Sequence, residues 1–129
     1  MVKVLIADDR AASRELIRTV LEADGYEVEE AFDGLDAVQR AEEYRPALII
    51  LDLQMPQLNG FEAIRRLRAD RRFLRTPIMA LTASAMNGDR ERALAAGFTS
   101  YVTKPVSLTV LRGELKRLLD AGTLRAAGD

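Results

Sequence analysis

Short apolar runs alternate five times with amphipathic stretches along this chain, and that alternation leaves few folds open. Val4-Leu5-Ile6-Ala7, Leu48-Ile49-Ile50-Leu51 and Ile78-Met79-Ala80-Leu81 are uninterrupted apolar runs of strand length. Strands that are covered on both faces read this way, and such strands belong to parallel sheets. The stretches between them carry apolar residues at helical spacing, so the pattern predicts repeated strand-helix units, (βα)5, an α/β fold with a doubly wound parallel sheet.

The segments follow from local signals. The first strand is expected at Lys3 to Asp8, with a helix to about Ala23 whose inward stripe is Leu16, Ile17, Val20 and Leu21 and which Gly25 ends. A second strand covers Tyr26 to Ala31, and Asp33-Gly34 turns into a helix over Leu35 to Glu43 with Ala37, Val38 and Ala41 inward, closed by Pro46. The third strand is Leu48 to Asp52, followed by a helix from Phe61 to Ala69 that Gly60 opens, with Phe61, Ile64 and Leu67 inward. The fourth strand is Ile78 to Thr82, with a helix from Asp89 to Ala96 stopped by Gly97. The fifth is Ser100 to Thr103, with a helix from Ser107 to Leu119 striped by Leu108, Leu111, Leu115 and Leu118. Residues 1–121 form one domain, and 122–129 read as a frayed C-terminal tail.

Strand order is partly written in the charges. Glu27, Glu29 and Glu30 make the second strand an edge, and the short polar Ser100 to Thr103 fits the opposite edge, which favours the flavodoxin-like order 2-1-3-4-5. In that order the chain reverses direction between strands one and three, and ligands of open α/β sheets bind at such a switch point, outside the C-terminal strand ends. The residues delivered there are Asp8-Asp9, Asp52, Thr82 and Lys104-Pro105.

Three carboxylates in one crevice repel and raise one another's pKa unless a cation sits among them. Oxygen-only donors suit Mg²⁺ or Mn²⁺ better than zinc. Carboxylates also form aspartyl phosphates, and phosphoryl transfer is catalysed chiefly by positioning and charge neutralisation. Asp52 is the candidate nucleophile, Asp8 and Asp9 the metal donors, Lys104 a cation and Thr82 a hydroxyl for the phosphoryl oxygens. The chain has no histidine and no cysteine, so a phosphohistidine must be supplied by another molecule and thiolate chemistry is excluded. A net charge of −1 gives no global attraction to nucleic acid, and the arginines between Arg65 and Arg75 read as a solvated face.

The chain resembles the receiver domain of two-component response regulators from Val2 to about Leu119. The matching motifs are Asp8-Asp9, Asp52 within Leu51-Asp52-Leu53-Gln54-Met55-Pro56 followed by Gly60, Thr82-Ala83 and Lys104-Pro105. The resemblance implies that Asp52 accepts a phosphoryl group from the phosphohistidine of a sensor kinase or phosphotransfer protein. It implies Mg²⁺ bound by Asp9, Asp52 and the Gln54 backbone carbonyl, with Asp8 acting through water. Thr82 and Lys104 would hold phosphoryl oxygens, and the Lys104-Pro105 bond would be cis. Tyr101 falls at the aromatic switch position, although a half-buried core tyrosine explains it nearly as well. Gln54 and Ser84 would flank the path of the hydrolytic water. The readout would be the surface of strand four, helix four, strand five and helix five, meeting a downstream protein or a second copy.

Two rivals come from other classes. A Mg²⁺-dependent phosphatase of the haloacid dehalogenase kind also uses an aspartate nucleophile, but it needs Asp-x-Asp after the first strand, where this chain has Asp8-Asp9-Arg10. A flavodoxin-like electron carrier needs a hydroxyl- and glycine-rich phosphate cradle there, which is missing. The expected location is the cytoplasm, with no membrane insertion and no direct nucleic-acid contact. A stand-alone regulator and a receiver cut from a longer protein both remain open.

Overall fold

The computed structural model describes residues 2–83, 88–105 and 107–127, with 121–127 as helical backbone alone. Ser84 lies outside the described residues. Five strands, β1 (Lys3–Ala7), β2 (Glu27–Ala31), β3 (Leu48–Asp52), β4 (Ile78–Thr82) and β5 (Ser100–Thr103), alternate with five helices, α1 (Ala11–Ala23), α2 (Gly34–Tyr44), α3 (Gly60–Arg68), α4 (Asp89–Ala96) and α5 (Leu108–Ala127). The strands form one sheet in the order β2-β1-β3-β4-β5. All four pairings are parallel, with Ala7 level with Leu51 and Asp52 level with Leu81. The expected fold and strand order are therefore those observed.

Side-chain alternation divides the core into two layers. Leu5, Ile49, Leu51, Ile78 and Ala80 face Ala37, Ala41, Ala63, Ile64, Leu67, Ala93 and Phe98 of the α2, α3 and α4 side. Val4, Ile6, Leu48, Ile50, Met79 and Leu81 face Ile17 and Leu21 of α1 and Leu111, Leu115 and Leu118 of α5. Because β1, β3 and β4 are covered twice, every residue of β3 and β4 is buried. The glutamates of β2 instead pair outward: Glu30 with Arg14 and Arg18, Glu29 with Arg40, and Glu27 with the Tyr44 hydroxyl.

Three expectations are corrected. Leu16 is 60% exposed because it lies at the rim of the α1 stripe, in the row ending at Val20, while Ile17 and Leu21 take the centre. Leu108 is 40% exposed because it begins α5, beyond the strand ends that would cover it. The stretch after Leu119 is helical as far as Ala127. The short 3-10 turn at Arg71–Phe73, capped by the Asp70 side chain, carries no periodic signal and was not expected.

The arginine-rich segment also departs from a uniformly solvated face. Arg65, Arg66, Arg71, Arg72 and Arg75 are exposed, but Arg68 is half-buried. Its guanidinium donates to the carbonyls of Phe73, Thr76 (2.8 Å) and Gly97 (3.0 Å) and to Thr99 Oγ1 (3.3 Å). That clasp ties the end of α3 to the turn after α4. α4 itself is lightly held: Ala93 is its one buried residue, and Gly88 (φ +89°) and Gly97 (φ +118°) flank it in left-handed conformations.

Candidate functional site

Each side chain of the crevice arrives on the loop that leaves a strand. Asp8 follows β1 directly, and its N–H still donates to Ala31 O (3.1 Å), so the chain turns only after the acidic residue is fixed. Neither Asp8 nor Asp9 caps α1, whose N-cap is Arg10 without a side-chain cap. Instead the Arg10 N–H donates to Asp8 Oδ1 at 2.9 Å. Asp52 closes β3, and the Gln54 N–H donates to its Oδ1 at 2.9 Å. The chain then folds back so tightly that the Gly60 N–H reaches Leu53 O (3.1 Å), and a β-carbon at Gly60 would meet the Asp52 carbonyl oxygen at 2.7 Å. Glycine is required at the start of α3 by this close approach.

Asp8, Asp9 and Asp52 converge, with one carboxylate oxygen from each lying within 4.8 Å of the others. Asp8 and Asp52 are buried and Asp9 is exposed at the rim. Lys104 reaches between the two buried acids, its Nζ donating to Asp8 Oδ2 at 2.8 Å and to Asp52 Oδ2 at 2.9 Å. Lys104 thus places a positive charge between the two buried carboxylates. Its backbone is tied to β4 by the Lys104 N–H to Thr82 O bond (2.7 Å), and the Lys104-Pro105 peptide is cis as expected. Thr82 is fully buried at the end of β4.

The surroundings separate the two buried acids electrostatically. Burial alone would push the Asp8 carboxyl up, but hydrogen bonds from Lys104, the Arg10 N–H and Ser13 outweigh it and hold Asp8 below the usual carboxylate range. Burial pushes Asp52 above that range, with the charge of Asp8 adding, and the Gln54 N–H and Lys104 offset only part of it. Burial also acts to lower the Lys104 ammonium, but both carboxylates outweigh this and raise it, so it stays charged. The two buried acids are thus shifted in opposite directions.

Every predicted crevice residue reaches one edge of the sheet. Gln54 is exposed beside Asp52. Tyr101 stands apart on β5, half-buried against the α4 side of the core. It lines a shallow groove of about 550 Å³ together with Arg90, Ser100, Val110, Glu114 and Arg117. Sequence reasoning missed Ser13 and Arg14, which lie on the first turn of α1 and bond to the Asp8 carboxylate and the Asp8 carbonyl respectively. The available signal was Arg14 following the acid pair within one helical turn, with Glu30 as its countercharge on the edge strand.

A doubly wound parallel sheet whose switch-point crevice is furnished with three acids and one lysine defines a class of α/β domain suited to cation and phosphoryl chemistry. Residues 4–116 match the family described as the response regulator receiver domain, and the chain belongs to that family. It is 39% identical over 105 residues to the polar-differentiation response regulator DivK of Brucella anthropi, covering 81% of this chain and 85% of that protein. Among solved structures it is similar to the receiver domain of the sensor histidine kinase PA1611 of Pseudomonas aeruginosa (37% identity, TM-score 0.85, 92% of this chain and 97% of that one), which has a magnesium ion coordinated in its active-site cleft. It is also similar to the chemotaxis protein CheY4 of Vibrio cholerae (35% identity, TM-score 0.86, 92% and 98%). Its function is phosphorylation-dependent signalling in a two-component system, as a receiver and not a conventional enzyme. Receiver domains take phosphoryl groups from histidine kinases and act on downstream targets. Among the described residues no helix is long and apolar enough to cross a membrane.

Proposed function

We propose that Asp52 is the phosphoacceptor of this receiver and that Asp8, Asp9 and Asp52 form its divalent-cation site. The observation that carries the reading is the convergence of the three carboxylates and Lys104 at the switch point. An oxygen-only donor set of this charge fits Mg²⁺, and Mn²⁺ equally. Asp9, Asp52 and the Gln54 carbonyl would hold the ion, with Asp8 through water; when bound, it neutralises charge on the phosphoryl oxygens.

The chain's own residues do the rest. A carboxylate oxygen of Asp52 forms the new O–P bond as the N–P bond of a partner's phosphohistidine breaks, and the imidazole leaves with the bonding electrons and is protonated. Lys104 and the Thr82 hydroxyl hold the equatorial oxygens, so transfer and later hydrolysis are self-catalysed. Gln54, exposed beside Asp52, flanks the water that hydrolyses the acyl phosphate. The donor is a sensor histidine kinase or a histidine phosphotransfer protein, since this chain contains no histidine. The site of action is the cytoplasm, where ATP charges such donors.

A dianion at Asp52 draws Lys104 and Thr82 toward it, and Tyr101 follows into the space released. The consequence is a changed surface at α4, β5 and α5, where Tyr101 lines the groove with Ser100 and Glu114. A downstream protein or a second copy of this chain binds there. Incubation with Mg²⁺ and acetyl phosphate, followed by mass spectrometry, should add one phosphate to the wild type and none to Asp52→Asn. Undiminished labelling of the variant refutes the assignment. Light scattering before and after phosphorylation tests the homodimer.

A further inference from the structure

The exposed member of the acidic crevice is the one whose carboxylate accepts no hydrogen bond from the described residues: Asp9. What aims it must therefore act on its backbone, and both flanking peptides are pinned. On the far side, the Arg10 N–H donates to Asp8 Oδ1 at 2.9 Å. On the near side, the carbonyl that leads from Asp8 into Asp9 accepts from Arg14 Nη1 at 2.7 Å. The Arg14 side chain is 18% exposed and is itself held by Glu30 of β2, through Nε to Oε1 at 3.2 Å. Nothing about α1 calls for an arginine there. A cation near a helix N-terminus opposes the helix dipole, and α1 has no acidic residue in its first turn to compensate.

We infer that Arg14 is a positioning residue for the divalent-cation site: by gripping the Asp8 carbonyl it sets the peptide plane that aims the Asp9 carboxylate, and Glu30 on the edge strand holds Arg14 in register. Residues that orient metal ligands without touching the metal contribute strongly to affinity, because a misaimed ligand loses its bond to the ion while the ligand set stays intact. The inference rests on the crevice being the cation site, and it assigns to the outermost strand a share in metal affinity. Arg18, the other partner of Glu30 at 2.6 Å, is 42% exposed and bonds also to Glu22, so it can take up Glu30 without reaching Asp8.

Calorimetric titration of Mg²⁺ into the full chain tests this with Arg14→Gln, Glu30→Gln, the double variant and Asp9→Asn. Arg14→Gln should raise the Mg²⁺ dissociation constant about tenfold. Glu30→Gln should raise it about threefold, with the double variant no weaker than Arg14→Gln, because both act through one contact. A purely structural Arg14 would lower the unfolding midpoint yet leave the folded protein's Mg²⁺ affinity at the wild-type value, and that result overturns the inference, as do additive effects in the double variant. If Arg14→Gln fails to fold, Glu30→Gln decides alone, wild-type affinity overturning the proposal. Asp9→Asn separates the two readings: Mg²⁺ binding as tight as wild type there removes the cation site itself, whereas loss there with wild-type affinity in Arg14→Gln removes only the role of Arg14.

Discussion

Replacing Lys104 by methionine isolates the electrostatics of the crevice. The ammonium lies 2.8 and 2.9 Å from oxygens of Asp8 and Asp52, and the three side chains are only 19%, 1% and 7% exposed. At an effective dielectric of about 20, each contact is worth roughly 6 kcal/mol before desolvation. Desolvation of the lysine cancels much of this, and removing one partner of a buried ion pair leaves a net cost of about 4 kcal/mol. The cost should depend on pH in a defined sense. Asp52 is already raised by burial, and without Lys104 both acids rise further, since burial and mutual repulsion remain. A carboxyl whose folded pKa exceeds its unfolded value is penalised at neutral pH, and the penalty disappears as pH falls through the folded pKa toward 3.8. The wild type behaves oppositely at Asp8, whose lowered pKa contributes stability above 3.8 that is lost on further acidification. Urea unfolding without metal should therefore show Lys104→Met about 4 kcal/mol less stable at pH 7, with a smaller deficit near pH 4 that closes only as pH falls on through the lowered pKa of Asp8. Saturating Mg²⁺ should narrow the gap at pH 7. A deficit of equal size at both pH values, or none at pH 7, refutes the account of Lys104 as the internal countercharge.

Gly60→Ala should cost about 3 kcal/mol in urea unfolding, because the added methyl meets main-chain atoms, Asp52 O at 2.7 Å and Leu53 Cα at 2.8 Å, which cannot yield independently; a loss under about 0.5 kcal/mol contradicts the close approach. Arg68→Met should cost about 3 kcal/mol by stripping a shared donor from acceptors in three segments, and an unchanged midpoint would show that those carbonyls find water instead. Asp70, held at about 2 by the Arg72 guanidinium and N–H, contributes stability above its ordinary value of 3.8 that fades as pH falls toward 2; the melting-temperature difference between wild type and Asp70→Asn should close over that window, and a difference constant with pH would refute it.

The central strands were legible because double burial leaves no ambiguity in a five-residue apolar run: β3 and β4 match the reading at both ends. The acids and Lys104 were legible as strand-end residues, since the topology alone brings those ends together. Leu16 and Leu108 were misread for a shared reason. Periodicity gives the direction of a helix's apolar stripe but not the width or length of the sheet beneath it. Arg68 was misread because its partners are mostly backbone carbonyls, which every sequence has everywhere. Lys104 shows the same blindness more subtly. A sequence reveals that carboxylates need a cation, yet that Lys104 bonds both buried acids depends on a reach of a few ångströms that spacing along the chain cannot express.

α4 buries a single residue, Ala93, and lies between Gly88 and Gly97, whose left-handed backbones are unstrained for glycine alone. An element with so little apolar area to peel away resists displacement weakly. The energy released by drawing one hydroxyl and one ammonium toward a new anion is modest, a few hydrogen bonds' worth. In the switch proposed above, that energy would vanish if spread through the rigid core, whereas α4, with one buried residue, is held by little apolar area.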